Sequence, residues 1–124
     1  MPDETATDPL AERLAELRQR RGDVEGLAIA SREGFPIAAD LPPEVSEDGL
    51  AALGAELLTE SRRAATQLGG GDIGELYIRA EQRLIIVVAV GRDAVLVALA
   101  RGDASLGMLL IELRRLAETL ATHL

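Results

Sequence analysis

The chain has 124 residues and 48% of them are apolar, enough to build a core and too many for a disordered chain. Its net charge of −8 at pH 7 argues against wrapping nucleic acid or an anionic membrane surface and leaves room for a basic protein partner. There is no cysteine, hence no disulfide or thiolate chemistry, and aromatic residues at 2% leave the core to aliphatic side chains.

In chain order, Met1 to Thr7 is polar and is expected to fray. Asp8-Pro9 is a helix start, with Asp capping free backbone N–H groups and Pro at the first helical position. Leu10, Leu14 and Leu17 follow at helical spacing, so the first helix is predicted from Pro9 to Arg21, stopped at Gly22. Val24–Ser31 reads as the first strand, Arg32-Glu33-Gly34 as a hairpin turn, and Phe35–Asp40 as the second strand. Pro36 has no N–H for a ladder, which places the second strand at a sheet edge.

A second helix is predicted from Glu47 to Leu68, capped by Ser46. Leu50, Leu53, Gly54, Leu57, Ser61, Ala64, Ala65 and Leu68 form one stripe on it, widened by Ala51, Ala55 and Leu58. That is more apolar face than one sheet contact needs, and Gly54 with the alanines would admit a second helix at close range. Glu56, Glu60, Arg63 and Gln67 make a separate polar stripe. Gly69-Gly70-Gly71 ends the helix, and Ile73–Ala80 reads as the third strand, with Glu75, Tyr77 and Arg79 on a wetter face than Leu76, Ile78 and Ala80. Leu84–Val90 and Ala94–Ala100 are Val- and Ile-rich runs joined by Gly91-Arg92-Asp93. Each is too short to cross a bilayer as a helix and apolar on both faces, so they form a central hairpin that must be covered on both sides. A last amphipathic helix is predicted from Ser105 to His123.

The order is α-β-β-α-β-β-β-α. It predicts one α+β domain over residues 1–124, a five-stranded antiparallel sheet with helices on both faces.

Chemistry is scarce. Gly69, Gly71 and Gly74 match the letters of GxGxxG but lie between a helix and a strand, the reverse of a dinucleotide loop, and read as a helix stop. There is no Walker A motif and no lysine; all 13 basic residues are arginine, which genomic base composition explains. His123 is the only histidine, next to the last residue, which disfavours a Ser–His–Asp triad and excludes an ordinary His/Cys zinc site. Glu44, Glu47 and Asp48 are ordinary partners for a helix N-terminus. No catalytic residue, cofactor site or metal site is expected. With no secretory signal or membrane-spanning run in view, the expected location is the cytoplasm, without membrane insertion.

Three stretches together resemble the Roadblock family of dynein light-chain relatives, a Roadblock/profilin-like fold. VEGLAIASREGFPIAAD, Val24 to Asp40, is similar to the family's opening hairpin, with Glu33, Gly34, Phe35, Pro36, Ile37 and Ala38 at its turn. LAALGAELLTESRRAATQLGGGDIGELYIRA is similar to its long second helix and third strand. The final hairpin leads into DASLGMLLIELRRLAETL, where Asp103, Leu106 and Gly107 match the start of the last helix.

The resemblance implies a homodimer in which the third strands of two copies pair and the second helices pack together. It also implies binding to a Ras-like small GTPase; bacterial members include the gliding-motility partner of such a GTPase, which acts as its activating protein. Hydrolysis would be accelerated by ordering the GTPase's own switch residues, without an enzymatic site in this chain. The sequence supplies its own reason for a dimer: Pro36 blocks one sheet edge, and the other is free of proline and flanked by surplus apolar surface. Expected dimer contacts are Leu58, Ile73, Leu76, Tyr77 and Ile78. The competing reading is a monomer whose edge is protected by Glu75 and Arg79. Expected GTPase contacts are Glu56, Glu60, Arg63 and Gln67, left over once the second helix has buried its other faces. Arg62 and Arg63 are candidates for an arginine supplied in trans, though a solvated helix face is the better reading. The alternative function is a scaffold or adaptor subunit with no effect on GTP hydrolysis; a small-ligand-binding or enzymatic domain is a third reading.

Overall fold

The computed structural model describes residues 8–124; the expected fraying of Met1–Thr7 lies outside them. The elements are α1 (Pro9–Arg20), β1 (Val24–Ser31), β2 (Pro36–Asp40), α2 (Glu47–Gln67), β3 (Glu75–Arg79), β4 (Arg83–Val90), β5 (Ala94–Arg101) and α3 (Leu106–Ala121). This is the predicted order. The expected caps form: Asp8 Oδ1 accepts from the Leu10 N–H at 3.0 Å and Ser46 Oγ accepts from the Gly49 N–H at 3.0 Å.

The strands make one sheet in the order β2-β1-β5-β4-β3, and every pairing is antiparallel. The two apolar runs, now β4 and β5, lie inside it and Pro36 lies on an edge, as their chemistry requires. Side chains alternate between two cores. Leu27, Ile29, Leu84, Ile86 and Leu96 meet Leu14 and Leu17 of α1 and Leu109, Leu113 and Leu120 of α3. On the other face Ala28, Val87, Val95, Val97 and Leu99 meet Leu50, Ala51 and Leu58 of α2.

The seat of α2 differs from the predicted stripe. Leu50, Ala51, Gly54, Ala55 and Leu58 are its buried residues. Leu53 is 43% exposed and Leu68 is 87% exposed, while Leu57 is half-buried. The strand beneath α2 presents Val95, Val97 and Leu99, so Ala51, Gly54 and Ala55 settle over it with Leu50 and Leu58, and Leu53 and Leu57 rotate to the flank. Gly54 therefore serves the helix-to-sheet approach within the chain: a Cβ there would lie 2.3 Å from Val97 Cγ2. β3 is shorter than predicted, because Ile73 precedes it in a loop and tucks against the core under α2.

Candidate protein-interaction surface

With its small residues on the sheet, α2 turns Glu56, Glu60, Arg63 and Gln67 outward, and all four lie on the solvent side of the helix. Their spacing puts them on one face, opposite Ala51, Gly54, Ala55 and Leu58. Glu60 and Arg63 pair with each other one turn apart. Arg62 points elsewhere: its Nε lies 3.1 Å from Asp72 Oδ1, its side chain is 20% exposed, and it ties α2 to the loop before β3. That Nε is shielded from solvent and makes no well-aligned hydrogen bond, so the contact is ionic.

The open edge of β3 adjoins this helix. The Ala80 N–H donates to the Arg83 carbonyl and the Ala89 N–H donates to the Gly74 carbonyl. Strand alternation then directs the backbone groups of Leu76 and Ile78 toward β4 and those of Glu75, Tyr77 and Arg79 toward the free edge. On the α2 side of this edge, Leu57, Ile73, Leu76 and Ile85 are half-buried, and Ile78 is 40% exposed. Leu58 sits apart from these: it is buried under α2 as part of the chain's own core.

The α3 side of β3 is polar and anchored. Glu75 accepts from Arg114 Nε at 2.9 Å and also from Arg114 Nη2. Hydrogen bonding from Arg114, with its positive charge, holds the Glu75 carboxyl below its ordinary range against the opposing effect of burial. Arg79 donates through Nη1 to the Gly102 carbonyl at 2.5 Å and through Nη2 to the Ala104 carbonyl at 3.2 Å. Gly102 fits that corner because it has no Cβ, which would lie 2.2 Å from the Glu81 carbonyl oxygen.

Both aromatic residues are outside the cores, Phe35 at 69% exposure and Tyr77 at 54%. Sequence reasoning missed the first; the signal was its position directly after the turn glycine Gly34, whose φ is 95°. Among the described residues no group of three His, Cys, Asp or Glu side chains could hold a metal ion, and no helix is long and apolar enough to cross a membrane. His123 Nδ1 stays on its own helix end, 2.9 Å from the Thr119 carbonyl oxygen. Gly69 and Gly71 take φ of 75° and 77° just after α2, as a helix stop does.

Comparison with known proteins agrees with this architecture. A Methanocaldococcus jannaschii protein named "Uncharacterized protein MJ1340" is 28% identical over 105 residues, covering 85% of this chain and 90% of its own. The crystal structure of a Roadblock/LC7 domain from Streptomyces avermitilis superposes with a TM-score of 0.86 at 24% identity, covering 94% of this chain and 98% of that one. The gliding protein MglB from Thermus thermophilus gives a TM-score of 0.78 at 25% identity, covering 98% of this chain and 96% of its own. The family model of the Roadblock/LC7 domain matches residues 10–100, and the chain belongs to that family.

Proposed function

We propose that this protein is a cytoplasmic homodimer that binds and regulates a Ras-like small GTPase through the outward face of α2. The carrying observation is the outward stripe Glu56, Glu60, Arg63 and Gln67 on a helix whose opposite face is fixed to the sheet, in a member of the Roadblock/LC7 family. The open β3 edge supports the dimer. Glu75 and Arg79, which would protect that edge in a monomer, are turned to Arg114 and to the Gly102 and Ala104 carbonyls instead. Unpaired backbone groups beside apolar surface favour pairing with a second copy. Ile73, Leu76, Tyr77 and Ile78 supply that contact. Leu58 supports it from beneath by seating α2, and Leu53 with Leu57 lines the approach of the second helix.

The state of the two arginines favours a regulator that orders the GTPase's own residues, or a scaffold, over one that inserts an arginine. Arg62 is held by Asp72 and Arg63 by Glu60. The test is to titrate the purified chain with the Ras-like GTPases encoded in the same genome, loaded with GTP or GDP, and to follow single-turnover hydrolysis. Saturable binding supports the reading; faster hydrolysis identifies an activating protein and an unchanged rate identifies a scaffold. Binding to none of them overturns it.

A further inference from the structure

The face of the sheet opposite α2 carries a second surface. α1 and α3 lie side by side there over a half-open cavity of ≈ 200 Å³ lined by Arg13, Glu16, Arg20, Glu112 and Arg115, with buried Leu17 at its floor. A neighbouring depression shares Arg20 and Glu112 and adds Met108 and Ile111, which are 59% and 52% exposed.

Three arginines face two glutamates in the cavity lining, a small positive excess in a chain where 21 acidic residues outnumber 13 basic ones. Glu112 is already divided between Arg20 and Arg21, each at 3.3 Å. Among the described residues, neither Arg13 nor Arg115 has a carboxylate within the 4.0 Å of an ion pair. Their guanidinium groups can each take a carboxylate in two parallel hydrogen bonds. Beside them two adjacent apolar side chains stand in water, one an adaptable methionine. We propose that this groove is a second docking site, for an acidic amphipathic segment of a protein partner. Its carboxylates meet Arg13 and Arg115, and its apolar residues cover Met108 and Ile111. A lipid surface fits less well, because a chain of net charge −8 is repelled by an anionic bilayer and the apolar patch is only two side chains wide.

This site is independent of the GTPase reading, since it uses neither α2 nor the β3 edge. The test uses the full chain, a labelled synthetic peptide with Glu and Leu at helical spacing, and its Glu→Gln counterpart. Anisotropy should show binding of the acidic peptide only, with amide shifts confined to α1 and α3. Arg13→Glu with Arg115→Glu should weaken binding about tenfold or more, because two charged contacts are replaced by repulsion. Met108→Ser with Ile111→Ser should weaken it while leaving the salt dependence intact, and GTPase binding should not change in either variant. Equal affinity of the charge-reversed protein, or shifts on α2, overturns the proposal. So does preferential sedimentation with phosphatidylserine vesicles, which would assign the surface to lipid. Self-association abolished by the same charge reversal would assign it to a second copy and overturn the proposal as well.

Discussion

Gly54 of α2 stands so close over Val97 of β5 that a Cβ on the glycine would lie 2.3 Å from Val97 Cγ2. This contact sets the height of α2 on the sheet, and with it the orientation of every side chain on the outer face. Gly54→Ala tests it. Alanine gains up to about 1 kcal/mol in helix propensity, whereas overpacking costs about 1–3 kcal/mol. The expected outcome is a net loss of up to about 2 kcal/mol in urea denaturation. A more stable variant would mean that α2 is seated more loosely than this geometry.

Leu58 and Leu53 are one turn and a residue apart on α2, yet Leu58 is 2% exposed and Leu53 is 43% exposed. Leu58→Ala should therefore cost about 2–5 kcal/mol of chain stability, as buried leucine truncations do. Leu53→Glu should leave the chain's own stability within about 0.5 kcal/mol and act on assembly instead. Denaturation and sedimentation of both variants check the division.

The register of β3 determines which substitution probes its open edge. A proline at Ile78 would remove a donor that faces β4 and so damage the chain itself. Tyr77→Pro removes an outward donor. It should convert a dimer to monomer with little loss of secondary structure, measured by sedimentation and circular dichroism. An unchanged dimer would exclude this edge as the interface.

The strands and helices were legible because their signals were local: Asp8-Pro9 and Ser46 cap helices, Pro36 marks an edge, and the Val-rich runs fill the middle of the sheet. The phase of α2 was less so. Leucine spacing alone points Leu53, Leu57 and Leu68 at the sheet, but three-dimensional fit against Val95 and Val97 selects Ala51, Gly54 and Ala55. That is a contact between residues some forty positions apart, invisible to periodicity. The polar stripe is exposed because it lies opposite the buried face made by Ala51, Gly54, Ala55 and Leu58. Leu58, expected at the dimer contact, is drawn into the chain's own core by the same rotation that turns Leu53 and Leu57 to the flank. The exposure of Phe35 and the arginine-lined groove between α1 and α3 also depend on tertiary placement.

Arg114 joins α3 to β3 through Glu75, whose carboxyl is held below the ordinary 4.5 by hydrogen bonding from that arginine. A carboxyl with a depressed folded value contributes stability above its unfolded value, and loses it as the pH falls through the folded one. Glu75→Gln should therefore melt at a lower temperature than the parent at neutral pH. The two curves should converge as the pH falls below 4.5. A constant difference in thermal melts across that range would remove the ion pair as the cause.

In the proposed function the outward face of α2 receives the GTPase. Glu60 and Arg63 already pair one turn apart, so exchanging them, Glu60→Arg with Arg63→Glu, keeps an ion pair on the helix while reversing the charge pattern a partner meets. The decisive measurement is the affinity of this exchanged protein for its cognate GTPase by calorimetry, with sedimentation run on the same sample. The expected result is an intact dimer whose binding is weakened about tenfold or more, and a parent affinity that falls with added salt. An intact dimer that binds the GTPase with unchanged affinity would contradict it and leave this stripe a solvated helix face.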